Sequence, residues 1–131
     1  MRQIMKGFYG NIEKETLANN NFRKVLFTSK HAQLVVMSLK PGEDIGLEVH
    51  KGVDQFFRFE QGEATVVIDG DEFRVSFDDV VIVPAGSLHN IKNTTSTDLK
   101  LYTIYSPPNH PGGTLHKTKK DAEEYEKSHH D

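Results

Sequence analysis

The chain has 131 residues, a length that suits one domain and one modest hydrophobic core. Its formal net charge of −3 and scattered basic residues give no footprint for nucleic acid and no attraction to an anionic membrane surface. With no cysteine, disulfides, thiolate metal sites and a cysteine nucleophile are all excluded.

In chain order, the N-terminal Met1-Arg2-Gln3-Ile4-Met5-Lys6 is followed by no apolar stretch of the signal-peptide kind. The longest apolar run, Val80 to Val83, is far too short to cross a bilayer, so the expectation is a cytoplasmic protein. The polar, asparagine-rich stretch from Asn11 to Asn21 reads as loop or a short irregular turn. From Phe22 to Ser106 the sequence becomes a train of short β-type runs: 23–28, 33–39, 55–60, 64–68, 72–77, 80–83, 89–92 and 99–105. Valine, isoleucine, phenylalanine, threonine and tyrosine dominate them, as half-buried strands require. Turn signals separate them, among them Pro41-Gly42, Gln61-Gly62, Asp69-Gly70 and Pro84-Ala85-Gly86. Asp69-Gly70 is the strongest hairpin signal, because both positions tolerate positive φ. Closely spaced strands with no helical period between them predict an all-β sandwich or closed barrel.

The end of the chain differs. Ser106-Pro107-Pro108-Asn109-His110-Pro111-Gly112-Gly113 cannot continue a strand interior, since proline lacks the ladder donor. Its prolines and the cap-like Thr118 predict an ordered segment lying on the barrel, or on a partner's barrel. Thr118-Lys119-Lys120-Asp121 opens a short terminal helix, expected to fray at Ser128-His129-His130-Asp131. The organisation is thus one domain over 1–131, with a barrel at about 22–106 and a tail with a short helix at about 107–131.

Two stretches place metal-competent side chains at strand starts. The first runs from Pro41 to Gly62 and contains Glu48, His50 and Gln55; the second runs from Pro84 to Asn93 and contains His89. Residues two apart in an extended segment share a face. Glu48 therefore projects with His50, Gln55 with Phe57 and Phe59, and His89 with Ile91 and Asn93. Carboxylate and imidazole groups on neighbouring strands can converge on one ion. Arg58 points the opposite way from Phe57 and Phe59, and Asn93 reads as a turn-former bonded to backbone.

This pair of stretches resembles the two motifs of the cupin superfamily, in its small single-domain form. In the first motif Gly42 opens, Glu48-x-His50 stands where His-x-His is usual, Gln55 stands for the glutamate, and Gly62 closes. In the second, Asp78 replaces the opening glycine, while Pro84, Gly86, His89 and Asn93 fall on their expected places. The resemblance implies a double-stranded β-helix, or jelly-roll, barrel. It also implies one divalent metal ion held by Glu48, His50, Gln55 and His89. The usual three imidazoles and one carboxylate become two imidazoles, one carboxylate and one amide, so a single negative charge still faces the ion. Glu48, His50 and His89 form the two-histidine, one-carboxylate set of non-haem iron sites. A mixed nitrogen–oxygen set also suits manganese, nickel or zinc.

The expected pocket is lined by Phe57, Phe59 and Ile91. His110 and His116 read first as surface or capping residues, with a sharper alternative in which the tail brings one of them to the pocket. His31 reads as a surface residue. The function implied is a metalloenzyme of oxygenase, isomerase or lyase type acting on a small polar metabolite, such as a sugar-like or keto compound. The alternative is a non-catalytic module that binds or senses a small ligand. No nucleophile–base pair or nucleotide-binding glycine loop argues for a hydrolase or kinase. Extended segments outside the motifs suggest a homodimer.

Overall fold

A computed structural model describes residues 7–128. Strands β1 (Arg23–Thr28), β2 (Gln33–Leu39), β3 (Asp54–Gln61), β4 (Glu63–Ile68) and β5 (Asp71–Ser76) come first, then β6 (Val80–Val83), β7 (His89–Lys92) and β8 (Leu99–Ser106). These are the eight expected runs, with ends moved by a residue or so. The architecture is mainly antiparallel β-sheet with a short C-terminal helix. One six-stranded sheet has the order β6-β3-β8-β2-β1-β9, where β9 is Leu115–His116; a three-stranded sheet has the order β5-β4-β7.

The alternation read in the sequence decides which side chains fill the space between the sheets. Val35, Met37 and Leu39 of β2, Phe57 and Phe59 of β3, and Leu99 and Leu101 of β8 are buried from one sheet. Ala64 and Val66 of β4 and Ile91 of β7 meet them from the other. Every one of these is almost wholly removed from water, and burial of this kind stabilises by roughly 1.5–3 kcal/mol for a large apolar side chain.

The turns follow the expected chemistry. Gly62 adopts φ +91, and a Cβ there would sit 2.9 Å from the Asp98 carbonyl oxygen, so both backbone conformation and space require glycine. Asp78, where the second motif usually has glycine, adopts φ 73. Aspartate is among the few residues that enter this left-handed region at modest cost, and Arg58 Nη2 donates to its Oδ1 at 2.9 Å.

Two features depart from the sequence reading. The stretch expected to be loop contains helix α1 (Ile12–Ala18). Asn11 caps it by accepting from the Lys14 amide at 2.9 Å, with Glu13 and Glu15 in the first turn where the helix dipole favours anions. At the other end Lys100 of β8 donates to the Asn19 carbonyl and to Ser38 Oγ (3.3 Å), so a buried cation completes the helix terminus. The second departure is β9. The segment after β8 is ordered on its own barrel, where Arg23 pairs with His116 and Lys24 with Leu115, and β9 rather than β1 ends the sheet. Helix α2 (Lys119–Ser128) follows, with the Asp121 amide donating to Thr118 Oγ1 at 3.0 Å as its cap. His129 and His130, expected to fray, lie outside the described residues.

Candidate metal centre

The first motif folds as an irregular strap along β7. Glu48 and His89 form an antiparallel bridge, with the Glu48 amide donating to the His89 carbonyl at 2.8 Å and the His89 amide donating back at 2.9 Å. Directly opposed residues in such a bridge point to the same side. The Gly86 amide donating to the His50 carbonyl at 3.0 Å ties the end of the strap to the Pro-x-Gly turn of the second motif. Two sequence-distant motifs are thereby zipped together by backbone bonds, with Asn90 adding side-chain bonds to Gly46 and Asp44.

Glu48, His50 and His89 consequently offer ligand atoms that all lie within 4.8 Å of one another, a cluster that can hold a metal ion. His50 Nε2 is 3.1 Å from Glu48 Oε1. The His50 and His89 ring centroids are 5.5 Å apart. His89 is 1% exposed. Its Nδ1 lies 3.1 Å from the Ser87 carbonyl, which can only accept, so Nδ1 carries the proton and Nε2 keeps a bare lone pair. Among the described residues that Nε2 is buried without a hydrogen-bond partner.

Gln55 is 2% exposed on β3. Its Nε2 donates to Thr103 Oγ1 at 3.0 Å, which directs the amide oxygen away, and Oε1 is likewise buried without a partner. Two orphaned lone-pair atoms in one barrel are costly unless something electropositive meets them. The Glu48–His50–His89 cluster, two imidazoles and one carboxylate, therefore fits a divalent cation, while Gln55 stands on β3 in the other sheet.

Around this centre the structure places the other expected residues unequally. Phe57 stands beside His89, with ring centroids 6.3 Å apart. Phe59 and Ile91 lie two positions further along their strands, within the core. Asn93 is fully engaged with backbone: Nδ2 donates to the Leu39 and Thr97 carbonyls at 3.0 and 2.8 Å, and Oδ1 accepts from the Thr95 amide at 3.0 Å. Arg58 faces outward and His31 is exposed.

Of the tail histidines, His110 is half-buried, with Nε2 3.2 Å from the Tyr105 hydroxyl. Gln33 holds it there, accepting from the Asn109 and His110 amides at 3.0 and 2.9 Å and donating to the His110 carbonyl at 2.7 Å. Desolvation chiefly, then the positive charge of Arg23, pushes the His110 pKa down to about 3. His116 is buried and 3.5 Å from Arg23 Nη1, its pKa lowered by the same two causes. Neither histidine belongs to the 4.8 Å cluster.

Tyr105 was not singled out from the sequence. Its ring meets His50 edge-on with centroids 5.8 Å apart, and burial raises its pKa, so the hydroxyl keeps its proton. The signal was available, since Tyr105 shares the inward parity of Leu99, Leu101 and Thr103.

A barrel of two antiparallel sheets carrying a histidine–carboxylate cluster on two zipped motifs defines a class of small β-barrel proteins. The family profile for the Cupin domain matches residues 35–105, and the chain belongs to this family. It is 51% identical over 123 residues to the uncharacterized protein YrkC of Bacillus subtilis, an alignment covering 89% of this chain and 66% of that protein's length. A crystal structure from Bacillus halodurans superposes with a TM-score of 0.89 at 44% identity, covering 91% of this chain and 95% of that one. An oxalate-binding protein of Thermotoga maritima is 28% identical over 100 residues, covering 76% of this chain and 79% of that protein. Among the described residues no helix is long and apolar enough to cross a membrane.

Proposed function

We propose that Glu48, His50 and His89, with Gln55 as a fourth donor, hold one divalent ion of iron, manganese, nickel or zinc. On this reading the protein is a small metalloenzyme acting on a polar metabolite that offers neighbouring oxygens. The observation that carries it is the Glu48–His50–His89 cluster with His89 Nε2 buried and unpartnered among the described residues; the likewise unpartnered Gln55 Oε1 supports the fourth donor. Such an ion would supply Lewis acidity, polarising a carbonyl or hydroxyl oxygen of the ligand.

The chain's own residues supply the rest. Ser87 fixes the His89 ring so that Nε2 faces the centre, the second-layer contact that ligating histidines commonly have. A carboxylate can only accept, so His50 Nε2 donates to Glu48 in this arrangement, and offering that nitrogen to a cation requires the imidazole proton to sit on Nδ1 instead. Phe57 excludes water from one side. Tyr105 keeps its proton and lies within 3.2 Å of neutral His110, so it offers a hydroxyl beside His50 that the tail holds in place. A second reading, a module that binds a small ligand without turnover, is favoured by the printed role of the Thermotoga relative, which is described as oxalate-binding.

A homodimer belongs to the same proposal. Register aligns Ile82, Phe56, Ile104, Leu34 and Phe27 in one row across the outer face of the large sheet, with Ile82 61% exposed. A continuous apolar row of this kind suits a two-fold related copy.

Elemental analysis of purified protein, with metal titration of Glu48→Gln and Gln55→Ala, tests the centre. Glu48→Gln removes the single anionic ligand and lowers affinity at least about a hundredfold, the upper scale for losing a mere outer-layer partner; Gln55→Ala costs much less. Equal losses would show that the carboxylate is misassigned. A wild-type protein that takes up none of the four metals at micromolar concentration would end the metal reading.

A further inference from the structure

Tyr105 is a buried polar residue that packing alone does not call for. It faces inward from β8, opposite Gln55 of β3 on one side and Gln33 of β2 on the other, and is 2% exposed. Phenylalanine would keep the ring contacts and leave no hydroxyl to satisfy away from water. A phenolic hydroxyl has one proton to give and two lone pairs to offer. The contact with His110 Nε2 at 3.2 Å takes one of these three functions.

His110 comes to this contact from the tail, and its main chain does the anchoring. Gln33 accepts from the Asn109 and His110 amides and donates to the His110 carbonyl. The imidazole is thus left for Tyr105, which it meets edge-on, with centroids 5.1 Å apart and planes at 84°. Burial, and then the charge of Arg23, keeps this imidazole neutral, with one N–H and one bare nitrogen. The same tyrosine ring meets His50 of the metal cluster edge-on at 5.8 Å. Burial is the main cause that raises the pKa of the hydroxyl, and the Glu48 charge adds to it, so the cluster carboxylate is within electrostatic reach. Tyr105 therefore stands between the tail and the centre, in contact with a histidine of each.

We infer that the Tyr105 hydroxyl is the hydrogen-bond donor to an acceptor atom of the ligand held at the Glu48–His50–His89 centre, and that His110 is the residue that positions it. His110 does so by carrying its proton on Nε2. That N–H donates to the Tyr105 oxygen and leaves the phenolic proton free to turn toward the centre. With the proton on Nδ1, Nε2 would take the phenolic hydrogen bond and the donor would be lost to the site. The ligand end of this inference rests on the metal reading above; the direction of the Tyr105–His110 bond does not. Because the pair is uncharged, it recognises a lone pair rather than a charge. A carbonyl or hydroxyl oxygen of the ligand is met there, and an ammonium group is not.

The test uses the full chain, metal-free and loaded with zinc, or with whichever of the other three metals it takes up. Azide, a small anion that fills an open position on such ions, is the probe. In metal-free protein labelled with nitrogen-15 histidine, the His110 signals should place the proton on Nε2. In loaded protein, infrared absorption of bound azide reads both its affinity and its hydrogen bonding. Tyr105→Phe should lower azide affinity about tenfold, the size of one hydrogen bond to a charged acceptor, and shift the azide stretch. One metal ion per chain should still be bound. His110→Ala should shift the stretch the same way with a smaller loss, and add nothing when combined with Tyr105→Phe. His110→Phe, which keeps a ring in that space, serves if His110→Ala does not fold. Four results overturn the inference: a His110 proton on Nδ1, wild-type azide affinity and stretch in Tyr105→Phe, additive losses in the double variant, or no azide binding by loaded wild type. Any of these in a protein that takes up metal refutes this inference alone. A chain that takes up none of the four metals refutes the metal reading and the ligand end with it, while the His110 signal still decides the direction of the bond.

Discussion

Replacing Gln33 with leucine tests whether the segment after β8 is part of the barrel or merely rests on it. Leucine nearly conserves volume at a position that is buried, so little cavity forms and the effect isolates hydrogen bonding. The change removes three bonds to the tail: two accepted from the Asn109 and His110 amides and one donated to the His110 carbonyl. With the bond that Gln33 Nε2 also donates to Thr28 Oγ1 at 2.9 Å, and a net value of about 1 kcal/mol each, the loss is about 4 kcal/mol if the tail stays in place with its groups unpaired. It falls to about 1.5 kcal/mol if the tail lifts enough for water to replace Gln33. Either is a large share of a domain stability of roughly 5–15 kcal/mol. Equilibrium unfolding in urea gives the free energy, and amide hydrogen exchange locates it. The Asn109 and His110 amides should lose protection while the Glu48 and His89 amides, which bond each other, keep theirs. A change below about 0.5 kcal/mol with unaltered protection at Asn109 and His110 would refute the claim that Gln33 anchors the tail.

Gly62→Ala should cost about 1–3 kcal/mol from its backbone conformation, plus the clash with the Asp98 carbonyl. Gly70→Ala, at φ 88 in open space, should cost less, and calorimetric Tm values rank the two. For His110, the folded pKa of about 3 lies below the unfolded value of 6.5. As pH falls below 6.5 the unfolded chain takes up a proton that the folded chain refuses. Stability from this group is thus full above 6.5 and declines towards pH 3, by at most about 1.4 kcal/mol per pH unit and less where water reaches the ring. Urea unfolding of metal-free His110→Gln at pH 7 and pH 5 should show a smaller drop than wild type; parallel drops would contradict the assignment. Ile82→Asp should convert the proposed dimer to monomer in light scattering, whereas a wild-type monomer at high micromolar concentration would refute the dimer altogether.

Strand positions β1 to β8 were legible because alternation and turn residues are local signals, and the motif spacing located Glu48, His50 and His89. What alternation cannot supply is register. Arg23 faces inward because it pairs with Met37, and the irregularity between Val25 and Phe27 shifts the rest of β1 relative to β2. Neither is written in the β1 residues themselves. Helix α1 escaped notice because its seven residues depend on the Asn11 cap and on Lys100, which lies far along the chain. Strand β9 is two residues long and is defined only by its partner. The replacement of glycine by Asp78 in the second motif is compatible with the turn, because Arg58 holds the aspartate in place.

The pairing of β9 with β1 joins residues 93 positions apart, as the Arg23–His116 contact shows. A chain made from its N-terminus presents Arg23 and Gln33 long before the residues that cover them exist. Until residues 109–116 arrive, the β1 edge and its charged first residue face solvent, open to any extended segment nearby. Completion of the chamber is therefore a late event in biosynthesis. A product cut short just after Ser106 would carry every residue of the metal cluster and still lack the wall that encloses it.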